Sequence, residues 1–114
     1  MKVKIAHNNT TISSNIRVAD NPATRIIGLM FRRQPVDSDG LLLEPCNSIH
    51  TFFMRYALDI VFLNKNNEVV KVLRNLKPWR MTWIYFRASK TLELPAGNLP
   101  LAVKEGDILE VQNV

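Results

Sequence analysis

The stretch Asp59-Ile60-Val61-Phe62-Leu63-Asn64, with the turn Lys65-Asn66-Asn67 and residues 68–76 after it, decides the predicted fold. Both flanks of this turn are rich in β-branched and other apolar side chains, which favour β-strands. Asparagine accepts the backbone conformations that a tight hairpin turn needs. We therefore predict an antiparallel hairpin in the middle of the chain.

Short alternating or apolar runs on either side of this hairpin predict further strands. These runs cover residues 2–6, 12–19, 40–43, 48–54, 89–94 and 108–111. A helix is predicted where Asp20-Asn21-Pro22 has the pattern of a helix start and Pro35 supplies the stop. We expect a β-rich α+β protein, a curled or barrel-like and mostly antiparallel sheet with one main helix near residues 22–33. The length of 114 residues predicts a single domain, residues 1–114.

The net charge of +5 is distributed unevenly along the chain. No aspartate or glutamate occurs from Val69 through Leu92, and the basic residues of that stretch are Lys71, Arg74, Lys77, Arg80, Arg87 and Lys90. A solvated basic face without a ligand gives the same pattern. The asymmetry nevertheless favours an anionic partner, either a small ligand or a protein.

Sequence features also bear on the compartment. The apolar runs are shorter than the roughly 20 residues that a membrane-spanning helix needs. The N-terminus lacks the apolar segment of a secretory signal. Cys46 is the only cysteine, so the chain forms no internal disulfide, which fits a reducing compartment. We expect a cytoplasmic protein with no membrane partner.

Cys46, His50 and Met54 lie at four-residue intervals and form the one group of side chains that suggests chemistry of its own. A histidine can hold a cysteine as the nucleophilic thiolate, with Asp59 as the nearest acid to orient it. The same spacing is close to a copper-binding loop, for which His7 is the one further histidine. A small buried cysteine explains Cys46 without chemistry. We favour this last interpretation and predict no catalytic residue, metal or cofactor.

Polar groups beside apolar ones make residues 46–59 a candidate binding pocket. His50, Arg55 and Asp59 would orient a small ligand there, unless Arg55 and Asp59 pair with each other and join two strands. The candidate site residues are Cys46, His50, Thr51, Met54, Arg55 and Asp59, with Trp79 and Arg80 at the rim.

Large side chains alternate with smaller or polar ones along residues 79–86. An extended face of this kind, flanked by Lys77 and Arg87, can stack bases, dock a protein or pack into a core. No RNA-recognition, zinc-finger or helix-turn-helix pattern accompanies it, so nucleic acid is not the expected partner.

Several short motifs follow one another in a fixed order and spacing. They are Arg25-x-x-Gly28-Leu29-Met30-x-Arg32, Gly40-Leu41-Leu42, Ile49-His50-Thr51-x-x-Met54-Arg55, Leu58-Asp59-Ile60-Val61-Phe62-Leu63, Pro78-Trp79-Arg80, Leu92-Glu93-Leu94-Pro95-Ala96-Gly97 and Gly106-Asp107. From Arg25 to the C-terminus the chain resembles the family called domain of unknown function 192, small uncharacterised bacterial and archaeal proteins. The resemblance implies a compact β-rich domain with one main helix and no established activity. Ala57 departs from the family, which more often has proline there.

We therefore expect a non-catalytic binding or accessory module. The alternatives are an enzyme, redox protein or metal-binding protein that uses Cys46 and His50, and a nucleic-acid-binding protein that uses residues 77–87.

Overall fold

In a computed structural model of the chain, residues 2–19, 38–51 and 54–114 are described. The described residues form seven β-strands. The strands are β1 (Lys2–His7), β2 (Thr10–Ala19), β3 (Gly40–Leu43), β4 (Leu58–Leu63), β5 (Val69–Leu76), β6 (Lys90–Pro95) and β7 (Glu110–Asn113).

All the strands belong to one sheet in the order β5-β4-β6-β3-β2-β1-β7. The β2–β3 pair is parallel and the other neighbouring pairs are antiparallel. The two edges approach each other just before β5 and β7, where Glu68 and Ile108 form an isolated bridge. No ladder joins β5 to β7 within the described residues, and the sheet is open.

The turn between β4 and β5 is held by the side chain of Asn64. Its Oδ1 accepts hydrogen bonds from the amides of Asn66 and Glu68, at 2.9 and 3.0 Å. Asn67 takes a positive φ of 63°, a conformation that asparagine accepts more readily than most residues. Local side-chain chemistry therefore produces the turn that the sequence predicts.

Strands β3, β4 and β6 lie in the interior of the sheet and are buried along most of their length on both faces. This explains why they read as continuous apolar runs rather than as alternating ones. One face packs a core that includes Ile5, Ile16, Val61, Leu92 and Leu109. A second core contains Ile49, Met54, Leu58, Ile60, Phe62 and Ala88.

The predicted α+β class is wrong. The part of the chain that the structure describes is all-β, with seven strands and no helix. The predicted main helix at residues 22–33 lies outside the described residues. The curled or barrel-like description is also wrong, because a single bridged residue pair provides no ladder that would close the sheet.

The strand predicted at residues 48–54 is not formed in the described part of that segment. His50 makes only an isolated bridge, with Met81, and the neighbouring residues are irregular. Among the described residues, no helix has the length and apolar character to cross a membrane.

Candidate functional site: an exposed aromatic loop

Residues 77–87, which we call the aromatic loop, connect β5 to β6 and run beside residues 47–51. Backbone hydrogen bonds join the two segments at three positions along their length. The amide of Trp79 donates to the Thr51 carbonyl at 3.0 Å, that of Thr82 to the Ile49 carbonyl at 2.9 Å, and that of Tyr85 to the Asn47 carbonyl at 2.9 Å. The aromatic loop therefore has a defined backbone although it is not a strand.

Thr51 holds the first turn of the aromatic loop. Its side chain is fully buried, with 0% exposure. The hydroxyl donates to the Lys77 carbonyl at 2.7 Å and accepts from the Arg80 amide at 2.9 Å, while its own amide donates to the Arg80 carbonyl at 2.8 Å. These bonds enclose Trp79, whose φ of 64° lies in the left-handed region.

Thr82 and Tyr85 hold the rest of the aromatic loop. The hydroxyl of Thr82 accepts a hydrogen bond from the Ile49 amide at 3.0 Å. The ring of Tyr85 packs against the buried ring of Phe62, with centroids 4.6 Å apart. The small or amphipathic side chains of the aromatic loop thus face the sheet.

The larger apolar side chains of the aromatic loop face solvent instead. Exposure is 57% for Trp79, 72% for Met81, 82% for Trp83, 54% for Ile84 and 86% for Phe86. Large apolar side chains that are exposed as a group, rather than singly, often mark a contact site. This group of side chains, which we call the aromatic surface, is the strongest candidate contact site in the described structure.

Positive charge borders the aromatic surface. Lys77, Arg80 and Arg87 are all exposed, and the sequence supplies no carboxylate between Val69 and Leu92. Arg87 makes one long ion pair, 3.9 Å from Nη2 to Glu68 Oε1, and its side chain stays 78% exposed. The described residues around the aromatic surface therefore carry mainly positive charge.

Of the predicted group Cys46, His50 and Met54, the first and last pack at one core, while His50 makes an isolated bridge with Met81. Met54 is buried in the second core, and Cys46 is a half-buried thiol that packs against it. Cys46 Sγ donates a hydrogen bond to the Ser48 carbonyl at 3.2 Å, a bond that requires the protonated thiol. Among the described residues, no group of three or more His, Cys, Asp or Glu side chains is placed to hold a metal ion.

Asp59 is buried and accepts hydrogen bonds from the backbone. Its carboxylate binds the amides of Asn75, Gly97 and Leu99, at 3.0, 3.0 and 3.2 Å. Arg55, by contrast, is exposed. The described contacts of Asp59 tie β4 to the turn after β6, and a part for Arg55 and Asp59 in ligand binding stays a prediction.

A shallow depression of about 550 Å³ lies beside Asp59, lined also by Arg74, Gly97 and Leu101. Arg74 directs its guanidinium to the carbonyls of Leu99, Pro100 and Val103, at 2.8 to 3.0 Å. Because these donors, like the Asp59 oxygens, already bind the backbone, the depression is a weaker candidate than the aromatic surface.

The structure brings together four of the predicted site residues, since His50 and Thr51 lie directly beside Trp79 and Arg80. Trp83, Ile84 and Phe86 are not among the site residues predicted from the sequence. The run Met81-Thr82-Trp83 held a signal for the exposed side chains. Its one polar residue, Thr82, is the residue to which the neighbouring segment can hydrogen-bond.

The fold and this site together define a small, open-sheet β-protein that presents an aromatic and basic loop. The chain belongs to the family called domain of unknown function 192 (uncharacterized ACR), whose sequence profile matches residues 3–111. This result confirms the resemblance found in the sequence.

Relatives of known sequence include proteins of the archaeal genus Pyrococcus. The chain is 44% identical to the UPF0127 protein PF1050 of Pyrococcus furiosus, over 87% of this chain and 88% of that protein. It is 36% identical to the UPF0127 protein PH1112 of Pyrococcus horikoshii, over 78% and 79% of the two chains. A crystal structure of a protein of unknown function from Novosphingobium aromaticivorans superimposes with a TM-score of 0.77 at 22% identity, covering 96% of this chain and 84% of that one. This last likeness shows a shared fold only.

Proposed function

We propose that this chain is a non-catalytic binding module whose contact site is the aromatic surface. The observation that carries the proposal is the combination of five strongly exposed, large apolar side chains with a backbone held by hydrogen bonds. Such an arrangement presents apolar area without the entropy cost of ordering a flexible loop on binding. The partner is expected to combine an apolar region with negative charge, because Lys77, Arg80 and Arg87 surround the aromatic surface.

The buried residues of the predicted site fit this proposal as supports of the contact site. Thr51 fixes the turn that carries Trp79 and Arg80, and Met54 packs in the core beneath. In this proposal Cys46 takes no covalent part, and Cys46→Ser leaves binding unchanged.

The cytoplasm is the compartment that we propose, since a chain with a single cysteine forms no internal disulfide and so fits a reducing compartment. Fractionation of expressing cells tests this placement. Recovery of the protein with periplasmic or extracellular markers would contradict it.

The contact site is tested with bis-ANS, an anionic aromatic dye, titrated into isotope-labelled protein while the backbone amide spectrum is recorded. Dye binding should shift the amides of residues 77–88 and of their neighbours 49–51. A variant that combines Trp83→Ser with Phe86→Ser should lose these shifts. The matched control is Leu101→Ser, which removes a side chain of 89% exposure outside the aromatic surface and should leave them intact. Saturable binding elsewhere, or no binding, would refute the proposal.

A further inference from the structure

We infer that the partner of the aromatic surface is an anionic lipid membrane, which the protein touches at the interface without crossing it. This inference rests on the proposed function and names the class of partner. The sequence predicts no membrane partner because it has no spanning segment, but a loop that rests on a lipid surface needs none.

The chemical mixture of side chains favours lipid over nucleic acid. Trp79, Trp83 and Phe86 have flat rings on which bases can stack, but Met81 and Ile84 have no ring. A lipid interface accepts both kinds, because tryptophan prefers the headgroup level and aliphatic side chains the acyl boundary.

Charge complementarity also supports a lipid surface. Lys77, Arg80 and Arg87 flank the exposed apolar side chains at both ends of the aromatic loop and within it. Arginine and lysine extend their apolar stems along the interface and keep their charged groups at the headgroups. Each basic residue close to an anionic surface strengthens binding by about fivefold.

The hydrogen bonds of the backbone of the aromatic loop also support contact with lipid. Backbone polar groups that enter an apolar phase must be paired, because their desolvation is costly. The amides of Trp79, Thr82 and Tyr85 bond to residues 47–51, and the Trp83 carbonyl accepts from the Thr82 hydroxyl at 3.0 Å. The aromatic loop therefore offers side chains to a partner while much of its backbone is satisfied within the protein, as shallow insertion requires.

The test is co-sedimentation of the intact protein with sucrose-loaded vesicles of phosphatidylcholine alone, or of equal parts phosphatidylcholine and phosphatidylglycerol, at low salt. We expect the partition coefficient to rise about a hundredfold with phosphatidylglycerol, from three basic residues at about fivefold each. The tryptophan emission should shift to the blue on binding. Added salt should weaken the interaction.

Two variants separate the contributions. Trp83→Ser combined with Phe86→Ser should lower binding to anionic vesicles by about tenfold or more. Arg80→Gln combined with Arg87→Gln should lower binding to anionic vesicles about twentyfold and leave binding to neutral vesicles unchanged. Leu101→Ser is the control for exposed apolar area and should behave as the wild type.

The outcomes distinguish this inference from the proposed function. Absence of vesicle binding by a protein that still binds bis-ANS at the aromatic loop overturns the lipid inference and leaves the contact site, with an acidic protein as its partner. Vesicle binding that survives the Trp83/Phe86 variant overturns both. Strong binding of single-stranded DNA without vesicle binding also overturns the lipid inference.

Discussion

Thr51 shows how a single buried hydroxyl determines the conformation of an exposed surface. It belongs to the irregular segment that carries the predicted site, yet its hydrogen bonds go to Lys77 and Arg80 in the aromatic loop. The two short hydrogen bonds of the buried Thr51 hydroxyl stabilise the turn. A side chain without a hydroxyl at this position would leave buried backbone groups unpaired.

Thr51→Val keeps the shape of the side chain and removes these hydrogen bonds. We expect it to lower the free energy of unfolding by about 1–3 kcal/mol, the usual result of leaving buried polar groups without partners. Urea denaturation measures the change. Thr51→Ser is the control, because it retains the hydroxyl and loses only a methyl group, at about 1 kcal/mol. Equal stability of the valine variant and the wild type would show that these bonds are not made.

Asp59 is a second buried side chain that holds backbone groups in place. Asp59→Ala removes the acceptor of three backbone amides and should lower the free energy of unfolding by about 3 kcal/mol or more. Asp59→Asn keeps one acceptor oxygen and should cost less. If Asp59 served only to bind a ligand, alanine would leave stability unchanged or raise it, and chemical denaturation would show this directly.

The interior strands and the aromatic loop differ sharply in the burial of their side chains. The interior strands β3, β4 and β6 bury nearly all their side chains, while the aromatic loop exposes its largest ones. Hydrophobic stabilisation follows the apolar area removed from water, so the exposed side chains contribute little of it. Their exposure is the basis of the proposed contact site.

A comparison of two variants tests this division. Trp83→Ser combined with Phe86→Ser should change the free energy of unfolding by no more than about 1 kcal/mol, because substitutions at the surface have small effects. Phe62→Ala, which removes a fully buried ring of β4 that packs on Tyr85, should cost about 3–5 kcal/mol. A large loss of stability in the Trp83/Phe86 variant would mean that the aromatic loop is part of the core.

Across the whole molecule, features set by residues close together in the sequence could be predicted better than features set by residues far apart in the chain. The β4–β5 hairpin could be predicted because Asn64, Asn66 and Asn67 act on their own neighbours. The predicted α+β class was wrong, since a fold class depends on long-range pairing and the described residues pair into one seven-stranded sheet. The strand predicted at residues 48–54 is not formed in its described part, where Ile49 and Thr51 instead hold the aromatic loop.

The candidate site was predictable in part for the same reason. Trp79 and Arg80 stood out by composition, but the exposure of Trp83 and Phe86 depends on residues about thirty to forty positions earlier in the chain, as in the bond from Tyr85 to Asn47. Alternation alone puts Trp79, Trp83 and Tyr85 on one face. In the structure Tyr85 packs inward on Phe62 and the two tryptophans face solvent.

Amide hydrogen exchange measured over the whole molecule tests whether an ordered loop exposes the aromatic surface. The amides of Trp79, Thr82 and Tyr85 should exchange about a hundredfold or more slowly than in an unstructured peptide, which corresponds to about 2.7 kcal/mol for opening. Exchange of these three amides at the unstructured rate, while those of β4 and β6 stay protected, would contradict the account, because the aromatic side chains would then belong to a disordered segment.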